Sequence, residues 1–226
     1  MVDLIDGEID TIEKYITPDS IVFDIGGCRG EWTNEVLTRG LASFVHVFEP
    51  IKDSYNILSK ELLQYPNKVK VNNKAVSNKC GSIPFWYYKD LPVLSTQYKR
   101  NEFIVSELNL QEPTKVKVPV ITIDRYCEQY EISFIDFLKI DTEGSELDVL
   151  QGADNLLSKN KISHIQFEYG GCFLDAGITL KRVFDYLKNY GYQIAKIGKG
   201  PIKYIDRFTP EMEDYVYCNF FSTLSR

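Results

Sequence analysis

Histidine, methionine and tryptophan are scarce in this chain, which has 226 residues and two of each of these types. The two histidines, His46 and His164, are too few for a histidine-rich zinc site. The five cysteines are odd in number, widely spaced and without a Cys-x-x-Cys pair. That pattern argues against a secreted disulfide scaffold and favours reduced thiols in a reducing compartment.

Long apolar runs and an excess of basic residues are also missing. No stretch approaches the roughly 18 uninterrupted apolar residues of a membrane span. The acidic start, MVDLIDGEIDTIEKYI, lacks the pattern of a signal peptide. The 26 basic and 32 acidic side chains give a formal net charge of −6, which argues against an extended nucleic-acid interface. We therefore expect a cytoplasmic protein without a membrane span.

The apolar content is ample, since 44% of the residues are hydrophobic and 13% are aromatic. Such a chain buries a sizeable core without disulfides or metal, and its length fits one large domain at roughly 150 residues per domain. We predict a single domain over residues 1–226. It begins with a helix within 1–18 and carries an irregular insertion of strands and loops at 80–120, rich in proline and aromatic residues.

Short apolar runs alternate with amphipathic segments along the rest of the chain. The runs predict seven strands at 21–27, 44–50, 69–76, 134–141, 164–170, 192–198 and 215–224. Between them the spacing of apolar residues predicts helices at 31–39, 51–62, 124–130, 144–159 and 178–190, with Asp124 as an N-cap. This alternation predicts an α/β fold with a doubly wound, mostly parallel sheet and an antiparallel C-terminal edge strand.

Ligands of open α/β sheets bind beyond the carboxyl ends of the strands, so the residues that end the first two strands matter most. The first strand runs into DIGGCRG (24–30), whose glycines allow close approach of a ligand to the backbone. The second strand ends at Glu49, placed where an acid can bind ribose hydroxyls. A tight turn and a solvated carboxylate are the alternatives, but together the two features favour an adenosine-type cofactor.

Three segments carry a family resemblance: VFDIGGCRGEWT, HVFEP and FLKIDTEGSELDVLQGA. They resemble the FkbM family of S-adenosylmethionine-dependent methyltransferases, over about residues 20–198. GGCRG departs from the family pattern by placing Gly27 and Cys28 in the loop. The resemblance implies a class I methyltransferase (Rossmann-like) fold and methyl transfer to an oxygen, often a sugar hydroxyl in a glycan or natural product.

The resemblance also implies a cofactor site. Asp24, Gly26 and Gly30 would hold the methionine end of S-adenosylmethionine, Glu49 its ribose, and the backbone near Ala75 its adenine. The full set of implied cofactor residues is Asp24, Gly26, Gly27, Cys28, Gly30, Glu49, Pro50, Ala75, Val76 and Asp141.

Methyl transfer to an alcohol needs help in removing the hydroxyl proton. The candidates are Asp141, Glu143 and Glu168, which follow the fourth and fifth strands. Either Asp141 or Glu143 removes the proton directly, or Asp141 and Glu168 share a Mg²⁺ ion that lowers the hydroxyl pKa; we favour the metal-free version. Glu143 as a helix cap is the structural alternative, and Lys139 is interpreted as an ion-pair partner of a strand-end acid.

The insertion contains FWYY (85–88) and, further on, Tyr98, Lys99 and Arg100. Together these residues could stack on a sugar and hold a phosphate, which makes them the predicted acceptor site. An edge strand that packs its aromatics on the sheet is the competing interpretation. The expected partner is a glycan, a nucleotide-sugar or a related small molecule. An NAD(P)-linked oxidoreductase and a catalytically silent cofactor-binding module are the alternative functions.

Overall fold

The computed structural model describes residues 6–224, so positions 1–5 of the predicted N-terminal helix lie outside the described residues. The strands are β1 Ile21–Ile25, β2 Phe44–Phe48, β3 Val69–Asn72, β4 Ala75–Val76, β5 Gly81–Tyr87, β6 Thr114–Ile121, β7 Ile135–Ile140, β8 Ile162–Tyr169, β9 Tyr192–Lys196, β10 Tyr204–Ile205 and β11 Cys218–Leu224. The helices are α1 Asp6–Tyr15, α2 Glu31–Thr38, α3 Lys52–Glu61, α4 Glu102–Glu107, α5 Ile123–Gln129, α6 Glu146–Gln151, α7 Asp154–Ser158, α8 Cys172–Ala176 and α9 Leu180–Asn189.

Eight strands form one large sheet in the order β10-β9-β11-β8-β7-β1-β2-β3. The block β8-β7-β1-β2-β3 is parallel, and β11 runs antiparallel to both of its neighbours. The predicted fold class is confirmed, and the antiparallel strands gather at one side of the sheet. Two details differ from the prediction: β11 lies between β8 and β9, and the two-residue strand β10, too short to leave a pattern in the sequence, makes the eighth strand.

The insertion folds around a second, small sheet with the order β4-β6-β5. The predicted strand at 69–76 is therefore divided between the sheets, with β3 in the large one and β4 in the small one. Two asparagines cause the division. The Asn72 side chain donates to the Val47 carbonyl at 3.0 Å, and that of Asn73 donates to the Glu49 and Pro50 carbonyls at 2.9 and 3.0 Å. The chain consequently leaves the large sheet at this point.

The large sheet is buried on both faces. Side chains of β1 and β7 are divided between a cluster shared with α5–α9 and a second cluster shared with α1–α3, and the apolar side chains of β8 belong to the first. A third, smaller cluster lies beneath the small sheet. This two-sided burial explains why the parallel strands appear in the sequence as continuous apolar runs. None of the helices between Asp6 and Leu224 combines the length and apolar character needed to cross a membrane.

Two predictions about helices 124–130 and 144–159 were wrong in detail. The long helix is broken into α6 and α7 at Gly152, where a Cβ atom would lie 2.2 Å from the Ser77 carbonyl oxygen. The N-cap of α5 is Thr122, whose hydroxyl accepts from the Arg125 N–H at 3.1 Å. Asp124 instead accepts from the N–H groups of residues 155 and 156 at 2.9 and 3.1 Å, and so caps α7.

Candidate active site

A cavity of about 290 Å³ opens at the carboxyl ends of β1, β2, β7 and β8, with residues of the small sheet along one side. Of the predicted site residues, ten line it: Gly26, Gly27, Cys28, Glu49, Pro50, Ala75, Val76, Asp141, Glu143 and Glu168. The predicted strand ends are thus brought together at one edge of the sheet. The other two predicted residues, Asp24 and Gly30, are not among its lining residues.

The loop after β1 is shaped by its glycines. Gly26 has φ +89°, and a Cβ there would lie 1.7 Å from the Asp141 carbonyl oxygen, so only glycine fits. The N–H groups of Gly26 and Gly27 both donate to the Phe48 carbonyl at 3.0 Å, which fastens the loop to the end of β2. Burial, with the nearby Glu49 charge, raises the pKa of the Cys28 thiol to about 12. The thiol therefore stays protonated in the loop.

Asp24 and Gly30, which were predicted to hold the methionine end of the cofactor, lie behind the cavity wall and not in its lining. Asp24 is fully buried, accepts from the Thr33 hydroxyl at 2.6 Å and lies 3.3 Å from the Lys139 ammonium. A carboxylate enclosed in this way has no free path to a ligand. Gly30 has φ +92° and precedes α2, where a Cβ would lie 2.7 Å from a Leu58 methyl group.

Glu49 faces the glycine loop, as the sequence predicts. Its two carboxylate oxygens accept from the N–H groups of Cys28 at 3.0 Å and Ile51 at 2.7 Å. Burial raises the pKa of Glu49 to about 8, against the lowering effect of these two hydrogen bonds. Each oxygen keeps a second lone pair that can accept from a ligand hydroxyl.

The wall next to Glu49 is apolar. Ala75 and Val76 are joined there by Ile83 and Phe85 from β5 and by Val93. Lys74 lines the cavity at this end as well. The wall is a surface on which a flat, weakly polar ring can lie.

Lys139 sits between two carboxylates, which confirms its interpretation as an ion-pair partner. Its ammonium lies 3.3 Å from Asp24 and 3.1 Å from Asp141. Burial by itself would lower the pKa of Lys139, but the two carboxylates raise it above its ordinary value. The lysine is therefore charged and offsets part of the negative charge of Asp24 and Asp141.

Glu143 is tied to the insertion. Its carboxylate forms an ion pair with the buried Arg100 guanidinium, which also lies 3.4 Å from Asp175. The Glu143 carbonyl accepts from the Thr96 hydroxyl at 2.7 Å. The Glu143 carboxylate is thus engaged by Arg100, and the turn before α6 is closed by Glu146, whose carboxylate accepts from the N–H of Thr142 at 2.8 Å and of Gly144 at 3.0 Å.

Glu168 ends β8 and is 5% exposed. Burial, followed by the negative charges of Asp141, Glu143 and Glu146, raises its pKa well above the ordinary value for glutamate, while Lys139 opposes the shift. Within the described residues, no Lys or Arg pairs with this carboxylate in a salt bridge. Of the three predicted acids, it is therefore the one most able to take up a proton.

Two lining residues of the cavity and a buried cysteine beside it form a candidate group of metal ligands that differs from the predicted pair of Asp141 and Glu168. Ligand atoms of Glu143, Glu168 and Cys172 lie within 4.8 Å of one another. A thiol is a poor ligand for Mg²⁺, which prefers oxygen, and Glu143 is already paired with Arg100. This donor set does not fit the Mg²⁺ ion considered from the sequence.

The residues of the predicted acceptor cluster are distributed over both faces of β5 and do not all reach the cavity. Phe85 lines the cavity, while Trp86 lies between the ammonium groups of Lys99 and Lys115, 5.7 and 5.2 Å from its ring. Arg100 is committed to Glu143. Because side chains alternate along a strand, consecutive aromatics of β5 point to opposite faces and cannot form one surface.

Sequence reasoning missed several residues that line the cavity. Tyr217 contributes from just before β11, Trp32 from the first turn of α2, and Gln97 from the insertion. The indole N–H of Trp32 is buried and has no hydrogen-bond partner in the described part of the chain. Tyr217 stands in the aromatic run YVYCNFF, where nothing in the pattern sets it apart from its neighbours.

Comparison with known proteins gives consistent results. The model of the methyltransferase FkbM domain matches residues 24–194. The chain is 26% identical over 148 residues to Methyltransferase 1 of Beauveria bassiana (strain ARSEF 2860), with 61% of this chain and 59% of that protein covered. The chain thus spans about three-fifths of that relative's length.

Two solved structures show the same fold. Methyltransferase FkbM from Methylobacillus flagellatus KT superposes with a TM-score of 0.56 at 18% identity, over 91% of this chain and 44% of that one. A Streptococcus mutans protein in complex with SAH gives a TM-score of 0.53 at 10% identity, over 99% of both chains. With the family model covering most of the chain, the assignment follows: this chain belongs to the FkbM family of S-adenosylmethionine-dependent methyltransferases.

Proposed function

We propose that this chain transfers the methyl group of S-adenosylmethionine to a hydroxyl of a sugar or related small molecule, with Glu168 as the general base. The supporting observation is one cavity that joins the glycine loop and Glu49 to a buried carboxylate with a raised pKa. The SAH found in the Streptococcus mutans neighbour fits the same cofactor class.

The residues of the cavity divide the cofactor between them. Glu49 accepts hydrogen bonds from the ribose hydroxyls, and the wall that includes Ala75 and Val76 covers the adenine. The methionine end lies against the loop at Gly26 and Gly27, with Asp141 and Lys139 beside it. The distance from β2 to β8 is three inter-strand spacings, about 14 Å in all, which leaves the methyl group near the ends of β7 and β8.

At that end the chain supplies positioning, charge and proton removal. S-adenosylmethionine supplies the electrophilic methyl group on a positively charged sulfur. Asp141 and Glu143 surround this region with negative charge, which suits a cationic cofactor. Glu168 takes the hydroxyl proton as the oxygen–carbon bond forms and the carbon–sulfur bond breaks. Burial and the neighbouring carboxylates raise the pKa of Glu168, and a carboxylate with a raised pKa binds a proton more strongly.

The cofactor is tested by titration with S-adenosylhomocysteine and, separately, with NAD. We expect S-adenosylhomocysteine to raise the midpoint of thermal unfolding, because a ligand that binds only the folded state stabilises it by about 2.7 kcal/mol at 100 times its Kd. NAD should have no such effect. Stabilisation by NAD alone would favour the oxidoreductase instead.

The base is tested with Glu168→Gln and labelled S-adenosylmethionine. Loss of a general base should lower kcat by about 10²- to 10⁴-fold, while the affinity for S-adenosylhomocysteine stays the same. Glu128→Gln, which alters an exposed glutamate of α5, is the matched control and should behave as the unmodified protein. Full turnover by Glu168→Gln would remove this residue from the mechanism. Cofactor binding without methyl transfer to any acceptor would favour the silent module.

A further inference from the structure

One aromatic side chain stands at the rim of the cavity, at the end where the methyl group is expected. Tyr217 is 59% exposed and lines the cavity together with Glu168 and Asp141. Among the exposed large apolar side chains of residues 6–224, it is the one that lines the cavity. Burial, followed by the nearby charge of Glu168, raises the pKa of the Tyr217 hydroxyl. The ring thus presents a free face next to the proposed base.

The backbone that carries Tyr217 is firmly anchored. The Tyr215 N–H donates to the Tyr169 hydroxyl at 2.7 Å. Two residues earlier, the Glu213 carboxylate accepts from the N–H groups of Leu180 and Lys181 at 2.7 and 3.1 Å. Immediately after Tyr217, β11 begins and pairs with β8. An exposed ring on a fixed backbone is preorganised to receive a ligand.

The charges near Tyr217 determine what such a ligand carries. Asp141, Glu143 and Glu168 line this end, and the two nearby cations are already engaged: Lys139 by Asp24 and Asp141, and Arg100 by Glu143 and Asp175. A phosphate here would meet carboxylates, and Lys139, the described cation that lines this end, is already paired with two of them. Lys74, the other lining cation, adjoins Ala75 at the opposite, adenine end.

We propose that Tyr217 is the platform for the acceptor: an uncharged sugar ring stacks on it and turns one hydroxyl toward Glu168, and acceptors with a phosphate next to the reacting ring are rejected. This inference rests on the proposed function and narrows its acceptor class. The apolar face of a pyranose matches an aromatic ring, and its hydroxyls match the surrounding carboxylates. It excludes the nucleotide-sugar considered from the sequence.

The test is a panel of oligosaccharides and methyl glycosides, each supplied uncharged, as a sugar phosphate and linked to a nucleoside diphosphate, with labelled S-adenosylmethionine as donor. We expect transfer to uncharged members and at least a tenfold lower kcat/KM for their phosphorylated forms. Preference for a phosphorylated or nucleotide-linked form, or transfer to no member of the panel, would overturn the inference.

Three variants identify the platform. Tyr217→Ala should raise KM for the acceptor by roughly 10- to 30-fold, as expected when a stacked aromatic is truncated. Tyr217→Phe keeps the ring, so its KM should stay near the original value while the pH profile of kcat shifts through the lost contact with Glu168. Tyr204→Ala removes an exposed tyrosine of β10 that does not line the cavity. This control should leave the acceptor KM and the pH profile of kcat unchanged. An unaltered KM in Tyr217→Ala would overturn the inference.

Calorimetry with S-adenosylhomocysteine on the same proteins separates a failure of the Tyr217 platform from a failure of the proposed methyltransferase function. If all variants bind it and the label reaches phosphorylated acceptors, the platform is refuted and the methyltransferase stands. If the unmodified protein does not bind it, the proposed function has failed, and with it the inference.

Discussion

The acids around the cavity carry the same chemical group and differ in what each one contacts. Asp24 is enclosed by Thr33 and Lys139, Glu143 is paired with Arg100, and Glu146 closes the turn before α6. Among the described residues, no Lys or Arg forms a salt bridge with Glu49 or Glu168, and the pKa of each is raised chiefly by burial. Glu146 is buried without a cation as well, but it does not line the cavity and its carboxylate accepts from the N–H groups of Thr142 and Gly144. Burial without a cation, together with a place in the cavity lining, therefore selects the two acids to which we assign ligand binding and proton removal.

Glu49 gives a prediction about pH. Its pKa in the folded protein, about 8, exceeds the ordinary value of 4.5, so the folded state holds a proton that the unfolded chain releases. The ligand-free protein should therefore lose stability as the pH rises from about 4.5 to about 8. In Glu49→Gln the fall in unfolding midpoint between pH 5 and pH 8 should be smaller, as measured by thermal melts in a matched set of buffers.

The cofactor should reverse this effect, because ribose hydroxyls donate to the ionised carboxylate. Affinity for S-adenosylhomocysteine should rise with pH up to about 8 and then level off. Glu49→Gln should bind about 10- to 100-fold more weakly, since a hydrogen bond to a charged group contributes about 1.5–3 kcal/mol. Glu128→Gln, on the exposed face of α5, is the control. An affinity independent of pH would contradict this role for Glu49.

At the scale of elements, hydrogen bonds and an ion pair attach the insertion to Glu143, which follows β7, and to Asp148 in α6. Arg100 reaches Glu143, Thr96 donates to the Glu143 carbonyl, and Tyr98 and Gln97 donate to Asp148 at 3.0 and 2.7 Å. These bonds hold the small sheet against the large one and form one wall of the cavity. Residues of the predicted acceptor cluster therefore serve mainly to fix the position of the insertion.

Arg100→Leu tests this attachment. The Arg100 side chain is 4% exposed, and its removal leaves the Glu143 and Asp175 carboxylates without their cation, at a cost of about 3–5 kcal/mol. The thermal midpoint should fall by roughly 6–20 °C for a chain of this size. Arg125→Leu, which breaks an exposed pair with Glu128, should cost less than about 0.5 kcal/mol. Adding Glu143→Gln to Arg100→Leu should recover part of the lost stability. Equal falls in thermal midpoint for Arg100→Leu and Arg125→Leu would show that Arg100 does not hold the insertion in place.

The break between α6 and α7 gives a second prediction at this scale. A Cβ on Gly152 would lie 2.2 Å from the Ser77 carbonyl oxygen, whereas one on Gly171 would have nothing within 4 Å. Gly152→Ala should therefore destabilise the protein by about 1–3 kcal/mol through overpacking. Gly171→Ala should be neutral or slightly stabilising. Urea denaturation of both variants measures the difference, and equal midpoints would mean that the close approach at Gly152 does not constrain the fold.

At the scale of the whole molecule, the two sheets share one cavity, and we predict that the chain unfolds as a single domain. The two tryptophans report on different sheets, because Trp32 packs on the large sheet from α2 and Trp86 belongs to β5 of the small sheet. Trp86→Phe and Trp32→Phe leave one reporter each. In urea, the fluorescence midpoint of each variant should coincide with its own far-ultraviolet circular dichroism midpoint. Divergence would show that the small sheet unfolds separately.

The fold class followed from the sequence because it depends on local periodicity. Runs such as IVFDI and FLKI are apolar apart from one charged residue each, Asp24 and Lys139, as is typical of strands covered on both faces, and amphipathic segments separate them. The glycine loop and Glu49 were found for a related reason: in a parallel sheet, residues at strand ends are brought to one edge whatever the details of the packing. The family motifs lie in these same segments.

Only the tertiary structure shows which side chains contact one another at the site. Nothing near Glu143 in the sequence announces Arg100, which is 43 residues away, nor does the run YVYCNFF reveal that Tyr217 reaches Glu168 from the other side of β8. Ion pairs, burial and pKa values depend on distances between segments that only folding brings together. The sequence thus determined where a cofactor could bind, while the contacts of each acid decided which of them is free to act.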